Sequence, residues 1–175
     1  SDAFVPDHKA FSRTAGTALD FAAQRKAIVC IGIEPRSPHT GYGYIHAPSA
    51  TDAGSVVKVK AFKEKPSLEV AERYLADGGY FWNAGIFISS AANLESELRA
   101  HAPQVSAVME ELAPSFYTPS EKSEVARLFP TCEKISIDYA VMEKSPDIYM
   151  IPGLWEWSDL GSFEAIEKIT GKKLK

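Results

Sequence analysis

The sequence predicts an α/β domain in which a mixed sheet is flanked by helices. Residues 7–24 place Phe11 and three alanines at helical spacing, and residues 27–33, which follow, are apolar throughout. An apolar run of this kind is typical of a strand covered on both faces, as in a parallel sheet. Helical and strand patterns alternate along the rest of the chain, without an internal repeat or a low-complexity linker. The first helix and strand form the second half of a β-α-β crossover, whose first strand we expect before residue 1.

Length and composition limit the classes of protein to which this chain can belong. Its 175 residues, of which 45% are hydrophobic, suffice for one ordinary domain with its own core. A net charge of -4 without a basic stripe argues against nucleic acid as the main partner. The chain has neither a secretory signal nor an apolar run of membrane-spanning length. We therefore expect a cytoplasmic protein with no membrane partner.

The two cysteines do not form a reactive or metal-binding motif. Cys30 and Cys132 are far apart in sequence and lack the spacing of metal ligands. Because Cys30 lies within the apolar run 27–33, we expect a buried structural thiol rather than a disulfide or a nucleophile.

A loop rich in proline and glycine, residues 35–43, follows the first strand and leads into a short strand at Tyr44 and Ile45. Gly41 and Gly43 would allow backbone amides to approach a ligand closely. The same glycines would also suit a turn that needs positive φ, and both interpretations are open at this point.

Residues 56–62 alternate between apolar and basic side chains in their central part, which predicts a half-buried strand. This strand delivers Glu64 and Lys65 side by side. Pro66 then prevents the strand from continuing.

A second, nearly all-apolar strand begins at Tyr80 and carries one amide, Asn83, among aromatic residues and glycine. It follows a helix that Ser67 is expected to cap and that Gly78 and Gly79 end. Carboxylate, ammonium and amide groups at strand ends suit a small, polyhydroxylated, anionic ligand.

The central part of the chain predicts amphipathic helices that begin near Ser90, Pro103 and Thr118. Apolar residues recur there at helical spacing, as Leu94 and Leu98 do. No chemical motif interrupts them, so we assign this region a packing role.

Two acidic residues stand out in the last third of the chain. Asp138 precedes a short helical pattern, and either Asp138 or Ser136 could simply cap that helix. A strand follows at residues 148–151, and Asp159 then lies in a tight, glycine-bearing turn before the final helix.

Four motifs follow one another along the chain: FKEKP, YFWNAGIF, SIDYAVMEK and WSDLGSF. The stretches GIEP and TGYGYI precede them, and the chain opens with Asp2, Val5, Asp7 and Phe11 at the spacing D-x-x-V-x-D-x-x-x-F. In this order and at these separations the motifs closely resemble mannose-1-phosphate guanylyltransferases, which are sugar nucleotidyltransferases with a Rossmann-like catalytic domain. The resemblance covers essentially the whole chain.

The resemblance implies transfer of GMP from GTP to mannose 1-phosphate, with Mg²⁺ as cofactor and GDP-mannose and pyrophosphate as products. Asp2 and Asp159 match the two acids that hold the metal beside the nucleotide phosphates. Lys65 matches a basic residue that contacts phosphate, so Lys65 and Asp159 are the candidate catalytic residues.

The same resemblance implies a pocket for the sugar phosphate. Glu64 and Asn83 match residues that hydrogen-bond the sugar hydroxyls, and Asp138 lies in a motif near the pocket. The candidate substrate-binding residues are Gly41, Tyr42, Gly43, Glu64, Lys65, Asn83 and Asp138.

The chain departs from the family pattern in two places. Ala3 stands where the family usually has His directly after the first metal acid. No segment of this chain matches the glycine-rich G-G-x-G-T-R-L loop that grips the triphosphate. We expect that loop and the base-recognising strands before residue 1. Residues 1–175 would then be the sugar-phosphate-binding half of a Rossmann-like domain that lacks its N-terminal nucleotide-binding portion.

Three functions are consistent with this interpretation. The first is the guanylyltransferase, of which this chain would be a fragment that is inactive alone. The second is another sugar-1-phosphate nucleotidyltransferase with a different nucleotide or hexose. The third is a module that binds sugar phosphate without catalysis. A sheet edge exposed by truncation would also favour association into a homo-oligomer.

Overall fold

The computed structural model describes residues 3–50, 52 and 54–173, and the secondary structure given below refers to those residues. The strands are β1 (Ala3–Phe4), β2 (Ile28–Ile33), β3 (Tyr44–His46), β4 (Val57–Lys58), β5 (Ala61–Lys63), β6 (Tyr80–Ile88), β7 (Ile148–Gly153) and β8 (Ser158–Asp159). The α-helices are α1 (His8–Gln24), α2 (Leu68–Asp77), α3 (Ala91–His101), α4 (Pro103–Leu112), α5 (Glu121–Leu128) and α6 (Phe163–Thr170).

The strand β2 lies inside a six-stranded sheet of order β4-β7-β2-β6-β3-β5, while β1 and β8 form a separate two-stranded ladder. All six residues of β2 are buried. It pairs in parallel with β7 and antiparallel with β6. The predicted strand with two covered faces and the predicted mixed sheet are therefore confirmed.

The two faces of β2 contact different apolar layers. Val29 packs in one cluster with Ala18 and Ala22 of α1. Cys30 points to the opposite face and packs in a second cluster, which includes residues 140–142. Alternation along the strand thus places helical segments on both sides of the sheet.

Burial makes Cys30 a poor nucleophile. Its side chain is fully buried, and its thiol donates a hydrogen bond to the carbonyl oxygen of Tyr149 at 3.0 Å. Burial is the main cause that raises the pKa of the Cys30 thiol to about 12, so the thiol stays protonated near neutral pH. The predicted structural role of Cys30 is confirmed.

The prediction of a single strand over residues 56–62 is wrong, because the chain forms two strands there. β4 pairs with β7 and β5 pairs with β3, at opposite ends of the strand order. Only Val59 and Lys60 separate the two strands, so the sheet must curl until its edges approach each other. The amide of Val59 donates to the carbonyl of Ile148 at 3.0 Å, and that of Lys60 donates to the carbonyl of His46 at 2.8 Å.

β6 changes register beside β2 next to Asn83. Gly32 pairs with Asn83 and Cys30 pairs with Phe87, so one residue of β2 spans three residues of β6. Gly85 lies among these extra residues with φ at 71°, which glycine adopts without steric cost. Bulges re-aim side chains and occur often beside active sites.

The predicted helices form close to the expected positions. The side chain of Asp7 accepts from the amide of Ala10 at the start of α1, and that of Ser90 accepts from the amide of Asn93 in α3. Ser67 takes the N-cap position of α2 without a side-chain hydrogen bond. Among the helices of the described residues, none is long and apolar enough to cross a lipid bilayer.

Candidate functional site

Strand register brings three predicted site residues to one level of the sheet. Tyr44 is the first residue of β3. It pairs with Lys63, the last residue of β5, and with Trp82, the third residue of β6. The adjoining residues Gly43, Glu64 and Asn83 are therefore neighbours in space, and we call this group, with Asp138 bound to Asn83, the candidate pocket. The main-chain amide of Asn83 donates to the carbonyl oxygen of Gly43 at 2.8 Å.

At Gly43 the absence of a side chain provides space for Glu64, and the backbone conformation is not unusual. A Cβ at this position would lie 2.5 Å from Oε2 of Glu64 and 3.3 Å from Cβ of Asn83. Neither Gly41 nor Gly43 has a positive φ, so the turn interpretation of these glycines is wrong. Gly41 instead donates its amide to Nδ1 of His39 at 3.1 Å.

Two hydrogen-bond partners fix the side-chain amide of Asn83. Its Nδ2 donates to Oδ1 of Asp138 at 3.2 Å, and its Oδ1 accepts from the amide of Gly85 at 3.0 Å. One Nδ2 hydrogen is left to donate. Asp138 begins the turn 138–142, which has no side-chain capping bond, so the capping interpretation of Asp138 and Ser136 is wrong.

The carboxylate of Glu64 lies in a partly desolvated, acidic environment. Its side chain is 10% exposed. Burial is the main cause that raises the pKa of Glu64, and the charge of Asp138 adds to this effect. The ammonium of Lys65, 3.3 Å from Oε1 of Glu64, acts in the opposite direction. The carboxylate is therefore suited to accept hydrogen bonds from a ligand.

Lys65 has a strained backbone. Its φ is 44°, and among the described non-glycine residues only Tyr117 shares a positive φ. The following Pro66 would favour an extended conformation for this lysine. Strain of this kind often occurs at binding sites. Here the strained residue directly follows Glu64, and the side chain of Lys65 is 60% exposed while that of Glu64 is only 10% exposed.

Asp159 is held by main-chain contacts on both sides. It pairs with Ala3 in the ladder of β1 and β8, and its Oδ2 accepts from the amide of Gly161 at 3.1 Å. Asp2, the other predicted metal ligand, lies outside the described residues. Within the described residues no cluster of three metal-ligating side chains occurs. Mg²⁺ needs only one or two protein carboxylates when phosphate oxygens complete its shell, so a half-buried carboxylate such as Asp159 fits it.

Tyr42 connects the neighbourhood of Asp159 to that of Asn83. Its ring packs edge-on against Trp82, which adjoins Asn83, and against Trp157, with ring centroids 5.3 Å apart in both pairs. Burial first, and the charge of Asp159 second, raise the pKa of Tyr42. The carboxylate of Asp159 is thus near enough to the Tyr42 hydroxyl to act on it electrostatically.

The structure adds Glu143 to these residues. Its Oε1 accepts from the amide of Glu64 at 3.0 Å and from Nζ of Lys63 at 3.3 Å. Glu143 belongs to the motif SIDYAVMEK, but no local sequence pattern assigns it a role. Glu143 lies five positions after Asp138, a spacing that does not place two residues on one face of an α-helix, so only the observed helical geometry reveals the pair.

Comparisons with known proteins agree with the motifs. The profile of a family described as nucleotidyl transferase matches residues 3–175. The chain is 37% identical over 170 residues to the xanthan biosynthesis protein XanB of Xanthomonas campestris pv. campestris (strain B100), covering 95% of this chain and 35% of XanB. It is 36% identical over 175 residues to mannose-1-phosphate guanylyltransferase ManC of Salmonella typhimurium (strain LT2), covering 97% of this chain and 36% of ManC. The chain thus spans about a third of the length of these relatives.

A solved structure shares the fold. The mannose-1-phosphate geranyltransferase of Thermus thermophilus is 31% identical, with a TM-score of 0.81 over 98% of this chain and 48% of that chain. The predicted fold class, a nucleotidyltransferase fold with a mixed sheet flanked by helices, is confirmed.

Proposed function

Because the chain belongs to the nucleotidyl transferase family, we propose that the intact protein transfers GMP from GTP to mannose 1-phosphate, giving GDP-mannose and pyrophosphate. The observation that carries this proposal is the close grouping of Gly43, Glu64 and Asn83. The main-chain amide of Asn83 donates to the carbonyl of Gly43, and a Cβ at position 43 would lie 2.5 Å from Oε2 of Glu64. The Salmonella relative is named for this reaction.

Glu64 and Asn83 are the residues that would hold the sugar. Hexose hydroxyls both donate and accept hydrogen bonds, and the carboxylate of Glu64 accepts them. Asn83 can donate one N–H, since Asp138 and Gly85 already occupy part of its amide. The missing side chain of Gly43 leaves room for the carboxylate of Glu64, whose Oε2 would lie 2.5 Å from a Cβ at that position.

The reaction brings two anions together, so alignment and charge neutralisation supply most of the catalysis. A phosphate oxygen of mannose 1-phosphate attacks the α-phosphorus of GTP, and the bond to the pyrophosphate leaving group breaks. Lys65 would place its ammonium beside the phosphate of a sugar bound at Glu64. Removal of one such positive group costs about 3 kcal/mol of transition-state stabilisation. This scheme needs no side-chain nucleophile, and the protonated Cys30 takes no part in it.

Asp159, together with Asp2, would hold Mg²⁺ beside the phosphates. Carboxylate oxygens are ligands that Mg²⁺ prefers, and the bound ion would neutralise charge on the phosphates. Two observations support this assignment: Asp159 pairs with Ala3, the neighbour of Asp2 in sequence, and the amide of Gly161 donates to its carboxylate.

The proposed partners are GTP and mannose 1-phosphate, without a nucleic-acid or membrane partner, and the proposed compartment is the cytoplasm. Cys30 and Cys132 are free thiols, as is usual in a reducing compartment. A net charge of -4 does not suit a polyanionic partner. Association into a homo-oligomer is a further part of the proposal, which light scattering of the intact protein would test.

An assay of pyrophosphate release tests the reaction. The intact protein should turn over with GTP, mannose 1-phosphate and Mg²⁺ together, and omission of any one should abolish release. ATP, UTP and glucose 1-phosphate in place of the proposed substrates test the other nucleotidyltransferases. If no combination releases pyrophosphate, the proposal is wrong. Residues 1–175 alone should not turn over, and activity of that segment would contradict the expected half-domain.

A further inference from the structure

Glu143 lies behind the pocket rather than in it. Its side chain is 22% exposed, and its Oε1 accepts both from the amide of Glu64 and from Nζ of Lys63. Glu64 lies one residue beyond the end of β5, where the chain leaves the sheet ladder. The contact with Glu143 therefore holds the main chain at the residue whose carboxylate faces the pocket.

The turn before Glu143 is a π-helix over Asp138–Met142. The amide of Glu143 donates to the carbonyl of Asp138 at 2.9 Å, which is the i to i+5 bond of a π-turn. Such a turn brings residues five apart, rather than three or four apart, to one side. It directs Asp138 to the amide of Asn83 and Glu143 to the amide of Glu64.

Lys63 allows a carboxylate to lie at this position. Glu64 and Asp138 already make the pocket acidic, and the charge of Glu143 further raises the pKa of Glu64. The ammonium of Lys63, 3.3 Å from Oε1 of Glu143, offsets part of that charge. Glu143 is consequently bound on one side by a cation and on the other by the main chain of a pocket residue.

We infer that Glu143, aligned with Asp138 by the π-turn 138–142, is a positioning residue that sets where Glu64 meets the sugar hydroxyls. This inference rests on the proposed function. The length of the Glu143 side chain is what matters, because it lets Oε1 accept one hydrogen bond from the main-chain amide of Glu64. The negative charge of Glu143 is secondary.

Three substitutions at Glu143 separate reach from charge in the intact protein. Glu143→Gln keeps an acceptor oxygen at the same distance and should leave KM for mannose 1-phosphate within about threefold of the wild type. Glu143→Asp keeps the charge but shortens the side chain, and Glu143→Ala removes the acceptor, so both should raise that KM about tenfold or more. KM for GTP should stay within about twofold in all three variants, because the effect acts through the sugar contact.

A matched control comes from α5. Glu121 accepts from the backbone amide of Tyr117 at 2.6 Å, far along the chain from the pocket. Glu121→Ala removes the same kind of bond and should lower Tm without changing KM for mannose 1-phosphate. If Glu143→Ala does not fold, the comparison of Gln with Asp still decides, because a role of charge alone gives the reverse order.

The outcomes distinguish the two proposals. Absence of turnover by the wild type overturns the proposed function. An active wild type with an unchanged KM in Glu143→Asp and Glu143→Ala overturns the positioning inference alone. Equal rises of both KM values, parallel to a fall in Tm, would show a merely structural role and would overturn it as well.

Discussion

The pocket and the helical layer of α3, α4 and α5 both contain acidic and basic side chains, but the two regions arrange them differently. In the helical layer each arginine lies between two glutamates, with N–O distances of 2.7–3.1 Å. The groups are Arg99 with Glu95 and Glu110, and Arg127 with Glu111 and Glu124. Most of these side chains are more than half exposed, so the pairs contribute little to stability.

In the pocket the acids face one another. Glu64 lies near Asp138 and Glu143, and the net effect of burial and these charges is to raise its pKa. The lysines that accompany them, Lys63 and Lys65, are each more than half exposed at the edge. An acidic pocket of this kind destabilises the empty protein, and a ligand that donates hydrogen bonds would relieve it. The difference between the two regions shows that charged residues matter here by their burial and partners, not by their number.

The sharpest test of this comparison removes one acid that is proposed to hold the metal and one acid of the helical layer. Asp159→Asn in the intact protein should lower kcat for pyrophosphate release about 10²- to 10³-fold, since a metal-holding charge is lost. KM for mannose 1-phosphate should change much less. Glu111→Gln in α4 should leave both parameters unchanged. Full activity of Asp159→Asn would refute its assignment as a metal ligand.

A methyl group tests how closely the pocket is packed. Gly43→Ala would place Cβ against Oε2 of Glu64 and should raise KM for mannose 1-phosphate about 10- to 100-fold by displacing that carboxylate. Gly16→Ala in α1, where nothing lies within 4 Å, is the matched control. It should keep KM and add about 0.5–1 kcal/mol of stability. Equal kinetics for the two variants would show that the close approach at Gly43 is unimportant.

Glu64→Gln should separate stability from activity. Because the folded-state pKa of Glu64 is raised, the folded protein binds more protons than the unfolded chain between the two pKa values, and stability falls as pH rises through that window. A glutamine does not ionise, so it does not cause this loss of stability, and Tm at pH 8 should rise by up to about 2 °C. KM for mannose 1-phosphate should rise about tenfold. The difference in Tm should vanish at a pH below the unfolded pKa of Glu64. A lower Tm of Glu64→Gln at pH 8, measured by calorimetry, would show that the charge of Glu64 does not destabilise the empty protein.

The smallest effect is expected in the helical layer. Arg127→Met breaks two exposed ion pairs and should change Tm by less than about 2 °C. Pyrophosphate release should be unchanged within error. A marked loss of activity would mean that this layer acts on the pocket and that the two regions are coupled.

Much of the fold could be predicted from local patterns, and part of the site could not. The apolar run of β2, the capped helices α1 and α3, and the motifs around Glu64 and Asn83 are local signals. The division of residues 56–62 between two edges of the sheet had no such signal, since alternation reports burial but not the partner strand.

The chain order and spacing of residues determined the class of fold, the family and the candidates Glu64, Lys65, Asn83 and Asp159, because periodicity and motifs are properties of neighbours in sequence. Tertiary structure alone decided that a side chain at position 43 would meet the carboxylate of Glu64, what Asp138 contacts and that Glu143 binds the main chain of Glu64. Each of these depends on a distance between atoms from segments far apart in the chain. Such distances are set only when the sheet curls and the π-turn packs against it.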